Sequence, residues 1–208
     1  MIEEEPFIFV IDDDPSVRDA LQGLFRAVGL RAQIFESPKD FLLVERPDAP
    51  GCIVLDVKLP EINGLDFQNE LTRLNVKLPV IFITGHGDIP MSVRAIKAGA
   101  IEFLTKPFRK EDLLTAIQSG IERDRGRRKN DASIENLKKC FASLSPRQQE
   151  VMVQVVRGQL NKQIAASLGL SEIMIKVHRS RVMQKMRASS LAELIQMSNQ
   201  LEHSADSQ

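Results

Sequence analysis

Residues 6–30 read PFIFVIDDDPSVRDALQGLFRAVGL, an apolar run that ends in three adjacent carboxylates, Asp12, Asp13 and Asp14, with a proline directly behind them. The run lacks the polar alternation of a half-buried strand, so it reads as a strand covered on both faces. Asp14 offers a side-chain acceptor to the orphan amides of a helix start, and Pro15 suits the first helical turn. Val17, Leu21, Leu24 and Val28 then recur at helical spacing, and Gly29 can close the helix. Strand, acidic turn and helix make the first unit.

The same unit repeats along the first 120 or so residues. CIVLD, PVIFIT and AIEFLT are further apolar runs, a short IF run precedes SPKDFLLVE, and GLDFQNELTRL, IPMSVRAIKAG and FRKEDLLTAIQSGIER have helical periods. Five βα units of this kind predict an open, doubly wound α/β fold with a five-stranded parallel sheet in the order 2-1-3-4-5. Sites in such sheets lie beyond the carboxyl ends of the strands. There the sequence sets Asp12 and Asp13 after strand one, Asp56 at strand three, Thr84 at strand four and Lys106 after strand five. Carboxylates gathered without a counter-charge raise one another's pKa and stay partly protonated. A hard divalent cation such as Mg²⁺, together with Lys106, balances Asp12, Asp13 and Asp56. That leaves Asp56 one oxygen to use as a nucleophile toward phosphorus.

Composition sets the outer bounds. The 208 residues are 43% hydrophobic and 27% charged, enough for one or two packed cores. No apolar run approaches the length of a membrane span, and the start MIEEEP is acidic where a signal peptide is basic, so a cytoplasmic protein that engages no membrane is expected. Cys52 and Cys140 have neither metal-ligand spacing nor a disulfide framework and read as reduced structural thiols. The formal net charge of zero conceals two opposite halves. Residues 1–120 carry 13 Lys+Arg against 19 Asp+Glu, net −6, and residues 121–208 carry 15 against 9, net +6. A basic half of this kind suits nucleic acid.

Residues 123–141 change composition abruptly and read as a linker, helical in part, with RDRGRR as a solvated run. From residue 142 the pattern is helical throughout: LSPRQQEVMVQVVRG, NKQIAASLGL, SEIMIKVHRSRVMQKM and SLAELIQMSNQL predict four helices. Ser145 and Pro146 start the first, Val151, Val155 and Val156 face inward, and Gly158 ends it. The turn Gly169–Ser171 separates two helices in a helix-turn-helix, the second of which buries Ile175, Val182 and Met186. Its other face carries Lys176, Arg179, Ser180 and Arg181, with His178 near them, the charge and size that a DNA major groove accepts.

The DD after strand one, together with LDVKLPEINGLDF, FITGHGD and FLTKPF, resembles the receiver domain of two-component response regulators, and TGHGDIPMSVRAIKAGA is especially similar to the NarL/FixJ group. The resemblance implies that Asp56 accepts a phosphoryl group from a sensor histidine kinase. It further implies that Asp13, Asp56 and the backbone carbonyl of Lys58 bind Mg²⁺ with support from Asp12, and that Thr84 and Lys106 contact the phosphoryl oxygens. Phe103 takes the position of an aromatic switch that often holds Tyr, and Gly85 and Gly87 permit the intervening loop to move. Lys106–Pro107 matches a bond that receivers usually hold cis. Residues from 142 onward resemble a LuxR-type helix-turn-helix. By that likeness Lys176, Val177 and Ser180 face base edges, while Asn161, Lys162, His178 and Arg179 are placed for phosphate or framework bonds. Gln148 and Gln163 stand where the family commonly has Glu, and Ile173-Met174 where it has Arg-Thr. Ile173 and Met174 are left either to pack on the scaffold helix or to meet thymine methyls. The implied architecture is a receiver over 1–122, a linker over 123–141 and a DNA-binding domain over 142–208. The implied function is a phosphorylation-activated transcription regulator that dimerises when phosphorylated, binds two-fold promoter DNA and engages RNA polymerase, catalysing only its own phosphorylation.

Two other readings compete. Asp12, Asp14 and Ser16 satisfy a loose D-x-D-x-S pattern, which allows a haloacid-dehalogenase-like phosphatase with Asp12 as nucleophile, but no cap insertion follows and Asp56 and Lys106 go unexplained. The helical half alone also fits a protein-binding module, against which its positive charge argues. His86, beside Thr84 but with no second histidine near, reads as a polar loop residue outside the site.

Overall fold

A computed structural model describes residues 5–85 and 87–206, so the reading of His86 lies outside the described residues. The chain divides into two compact units, residues 1–128 and 129–208. In the first, β1 (Phe7–Ile11), β2 (Arg31–Phe35), β3 (Gly51–Asp56), β4 (Val80–Thr84) and β5 (Glu102–Thr105) form one sheet in the order β2-β1-β3-β4-β5, every pairing parallel. Between the strands run α1 (Pro15–Ala27), α2 (Pro38–Leu43), α3 (Gly64–Arg73) and α4 (Ile89–Lys97), and α5 (Lys110–Ala142) follows the last strand.

Alternation along the strands divides the apolar residues between two cores. Phe9, Ile11, Ile53, Leu55 and Phe82 pack with Phe41, Phe67, Leu71 and Ala95 of α2, α3 and α4. Ile8, Val10, Cys52, Val54, Ile81 and Ile83 pack with Leu21 and Phe25 of α1 and Leu113 and Ile117 of α5. Both faces are therefore dry, as the unbroken apolar runs require. Asp14 caps α1 by accepting the Ser16 amide at 2.8 Å, and Gly29 takes the left-handed conformation beyond its end. One detail of the expected stripe is corrected: Val28 is 46% exposed and Phe25 is buried in its place. Helix α1 stops at Ala27, so Val28 belongs to the cap while Phe25, one turn after Leu21, still points at the sheet.

The segment read as a linker is helical along its whole length. Asp124, fully buried, accepts the Gly51 amide at 3.1 Å and pairs with Arg127 and with Arg128, and Arg128 also reaches Asp48. Residues 123–128 therefore pack with the first unit, and RDRGRR is no solvated run. Leu137 is buried in the core of the second unit, with Cys140 and Phe141 against it.

That second unit contains α6 (Pro146–Val156), α7 (Asn161–Leu168), α8 (Glu172–Met186) and α9 (Leu191–Asp206). Ser145 and Gln148 cap α6 reciprocally, and Gln163 accepts the Leu160 amide at 2.8 Å at the start of α7. A neutral amide oxygen thus does the capping work that a carboxylate does elsewhere. Gly169, left-handed at the end of α7, turns the chain into α8, whose Ile175, Val182 and Met186 are buried as expected. No helix among the described residues is long and apolar enough to cross a membrane.

Candidate functional site

Register brings the acidic residues together. Ile11 pairs with Leu55 across β1 and β3, so Asp12 and Asp56 leave the sheet side by side. One carboxylate oxygen from each of Asp12, Asp13 and Asp56 lies within 4.8 Å of the others. Asp12 and Asp56 are buried, and Asp13 is the most open of the three. Lys106 crosses from beyond β5 and donates to Asp12 Oδ2 at 2.7 Å and to Asp56 Oδ2 at 3.1 Å. Asp12 Oδ1 accepts the Asp14 amide, Asp56 Oδ1 accepts the Lys58 amide at 3.2 Å, and Arg18 donates to the Asp12 carbonyl.

Burial raises the pKa of Asp12, and the hydrogen bonds and charge of Lys106 oppose that rise without cancelling it. Burial acts to lower the pKa of Lys106, but its bond to Asp12 and the charges of Asp12 and Asp56 outweigh this and raise it. Three carboxylates face one ammonium, a formal −2 that a hard dication matches and that an all-oxygen donor set of this spacing can hold. The residues therefore fit Mg²⁺.

Thr84 ends β4 fully buried, and its carbonyl accepts the Lys106 amide at 2.7 Å. The Lys106–Pro107 bond is cis. Phe103 is half-buried on β5, its ring 6.2 Å from that of Phe82 and tilted by 48°. A methyl group built on Gly87 would stand 2.8 Å from the Phe103 ring and 3.2 Å from the Thr84 methyl, so Gly87 is where the two side chains meet the loop. Its lack of a side chain matters there for space, whereas Gly85 has open space around it.

Gly64, which sequence reasoning passed over, lies close against the Asp56 backbone. A Cβ there would lie 2.4 Å from the Asp56 carbonyl oxygen and 3.0 Å from the Val57 Cα. Gly64→Ala is expected to cost about 1–3 kcal/mol, the range for overpacking a close contact, and to lower the urea midpoint of the first unit. An unchanged midpoint would show that β3 yields freely at this point.

In the second unit Lys162, Lys176, Val177, Ser180 and Arg181 are exposed, while Asn161, His178 and Arg179 are half-buried. Arg179 donates to Asn161 Oδ1 at 3.3 Å, a framework bond between α7 and α8. His178 turns Nδ1 inward, where it has no hydrogen-bond partner among the described residues. Ile173 is 74% and Met174 47% exposed, and neither belongs to the apolar core of the unit, which weighs against the first of the two alternatives for them.

Comparison with known proteins bears on both units. The response regulator receiver domain family matches residues 8–118, and the bacterial regulatory protein luxR family matches residues 142–198. The chain is a response regulator of the NarL/FixJ group. The regulator is 54% identical over 199 residues to Nodulation protein W of Bradyrhizobium diazoefficiens, covering 96% of this chain and 88% of that one. It is 47% identical over 204 residues to the response regulator protein TmoT of Ectopseudomonas mendocina, covering 98% and 93%. Among solved structures, the response regulator StyR superposes with a TM-score of 0.83 at 45% identity, covering 94% of this chain and 98% of that one. Full-length FixJ from B. japonicum superposes with a TM-score of 0.57 at 36% identity, covering 95% and 97%.

Proposed function

We propose that this response regulator is switched by transfer of a phosphoryl group from a phosphohistidine of a sensor histidine kinase to Asp56, and that the phosphorylated chain dimerises and regulates transcription from two-fold promoter DNA. The observation that carries the reading is the convergence of Asp12, Asp13, Asp56 and Lys106 at the carboxyl ends of β1, β3 and β5. A carboxylate oxygen of Asp56 attacks phosphorus, the N–P bond breaks as the O–P bond forms, and the histidine nitrogen leaves and is protonated from solvent. Asp12, Asp13, Asp56 and the Lys58 carbonyl would hold Mg²⁺. The ion, when bound, neutralises charge that builds on the transferring oxygens. Lys106 lies within reach of the new phosphoryl oxygens because it already donates to Asp56. The Thr84 hydroxyl is drawn toward them, Phe103 follows into the vacated space, and the face of α4 and β5 changes shape.

Exposed apolar residues support dimerisation on that face: Ile89, Val93 and Ile96 form a solvent-facing stripe along α4. On α8, Lys176, Val177 and Ser180 face base edges, while Lys162 and Arg181 serve the phosphates. Asn161 and Arg179 brace α8 through their mutual bond. RNA polymerase is the downstream partner at the promoter, and the setting is the cytoplasm. The regulator turns over no substrate beyond its own phosphorylation.

The test is intact mass, sedimentation and duplex binding of the chain, with and without a small phosphodonor and Mg²⁺. The expected result is one added phosphoryl group, a dimer, and tighter binding to promoter DNA whose affinity falls with salt. A chain that gains the group but neither dimerises nor changes its DNA affinity would overturn the proposed coupling.

A further inference from the structure

The N-terminal half of α8 shows solvent a face that is more apolar than a phosphate-binding surface requires. Ile173 is 74% exposed, Met174 47% and Val177 44%. At about 100° per residue, Ile173, Val177, Ser180 and Gln184 share one ridge, directly opposite the buried Ile175, Val182 and Met186. Lys176 flanks the ridge on one side, and Met174 and Arg181 on the other. Glu172, the carboxylate of the first turn, lies beyond Lys176 and off the ridge. Large exposed apolar side chains are poorly used against water and against phosphate alike. The first turns of a recognition helix are the part that comes closest to base edges. The apolar group a major groove offers there is the C5-methyl of thymine.

We propose that Ile173 and Met174, with Val177 completing the patch, read thymine methyl groups in the major groove, so that the regulator selects thymine at defined positions of each half-site by apolar contact. The inference rests on the DNA-binding reading above and adds to it the chemical feature recognised. The charges fit the same occupant. Residues 129–208 carry 11 Lys+Arg against 7 Asp+Glu, net +4, and Arg181 flanks the patch on the side where a groove wall carries phosphates. Ser171 caps α8 by accepting the Met174 amide at 3.3 Å, which holds the first turn, and so Ile173 and Met174, in helical geometry. Neither side chain belongs to the apolar core of the unit, so replacing them leaves that core intact.

The experiment begins by enriching duplexes from a random-sequence library on the full-length, phosphodonor-treated chain. Each thymine of an enriched duplex is then replaced singly by deoxyuridine, which removes the methyl and keeps the hydrogen-bonding edge. The dissociation constant is expected to rise about fourfold for each contacted methyl, the equivalent of about 0.8 kcal/mol for one buried methylene-sized group. In Ile173→Ala and Met174→Ala the difference between thymine and deoxyuridine should disappear at those positions. In Lys176→Ala it should persist while overall affinity falls. Equal affinity for thymine and deoxyuridine at every position overturns the inference, as does a full difference retained in both alanine variants. A chain that enriches no duplex at all overturns the DNA-binding reading, and this inference with it.

Discussion

Asp56→Ala is expected to gain no phosphoryl group from a small phosphodonor and Mg²⁺ under conditions in which the native chain gains one, and to remain monomeric when the donor is added. The expectation follows from position. Asp56 is the carboxylate that both faces Lys106 and stands at the end of the central strand, between β1 and β4. The loss should be complete, because the oxygen that forms the new bond is gone. The fold should survive: Asp12 keeps Lys106 at 2.7 Å, and removing one of three clustered carboxylates relieves repulsion. Intact mass and sedimentation velocity read the first two points and a thermal melt the third. If Asp56→Ala still takes the group, the acceptor lies elsewhere. If it turns the donor over, Asp12 becomes the candidate nucleophile of a phosphatase.

Lys106→Met should have the largest effect on stability within the site. It leaves Asp12 buried with no cation beside it, and breaking a buried ion pair by removing one partner costs about 3 kcal/mol or more. The deficit should depend on pH. The folded pKa of Asp12 is raised by burial, so whatever stability this group contributes is fully present below its unfolded pKa and is lost as pH rises through the folded value. Lys106 has a raised folded pKa too, so its contribution is present below its unfolded pKa and is lost only as pH rises through the higher folded value. At pH 8 the native chain therefore retains the ammonium that offsets Asp12, and the variant does not. Chemical denaturation in metal-free buffer should show a deficit of about 3 kcal/mol at pH 8 that shrinks as acid protonates Asp12. Adding Mg²⁺ at pH 8 should restore part of it. A deficit that is constant between pH 5 and pH 8 would mean that Lys106 stabilises by packing alone.

Residues whose roles follow from position along a strand were legible in the sequence, because apolar runs of similar length in a parallel sheet bring their ends to one edge. Asp12, Asp56, Thr84 and the reach of Lys106 all come from that rule. The helix-turn-helix was legible for a similar reason, since Gly169 and the periods on either side of it determine where α7 ends and α8 begins. Constraints that arise only across the fold were not legible. Gly64 is held small by a carbonyl back on β3, and nothing in its own neighbourhood of sequence records that. Asp124 was hidden in a run of charge. Its partner is the Gly51 amide at the far end of the sheet, and a buried acceptor of that kind looks like a solvated acid until the strand is in place. Val28 and Phe25 could not be ranked by period, because both recur from Leu21 at helical spacing and only the point where α1 ends separates them.

The core of the first unit also contains a chemical clock. Cys52 sits in β3 with no solvent exposure, packed against Gly120, and burial followed by the charge of Asp124 pushes its thiol up to about 12. Alkylating reagents attack the thiolate, so Cys52 is silent while the sheet is intact. Cys140 is half-buried and lies in the other unit. Labelling at Cys140 therefore does not require its unit to open, whereas labelling at Cys52 does, and the rate at Cys52 times the opening of the sheet without any engineered probe.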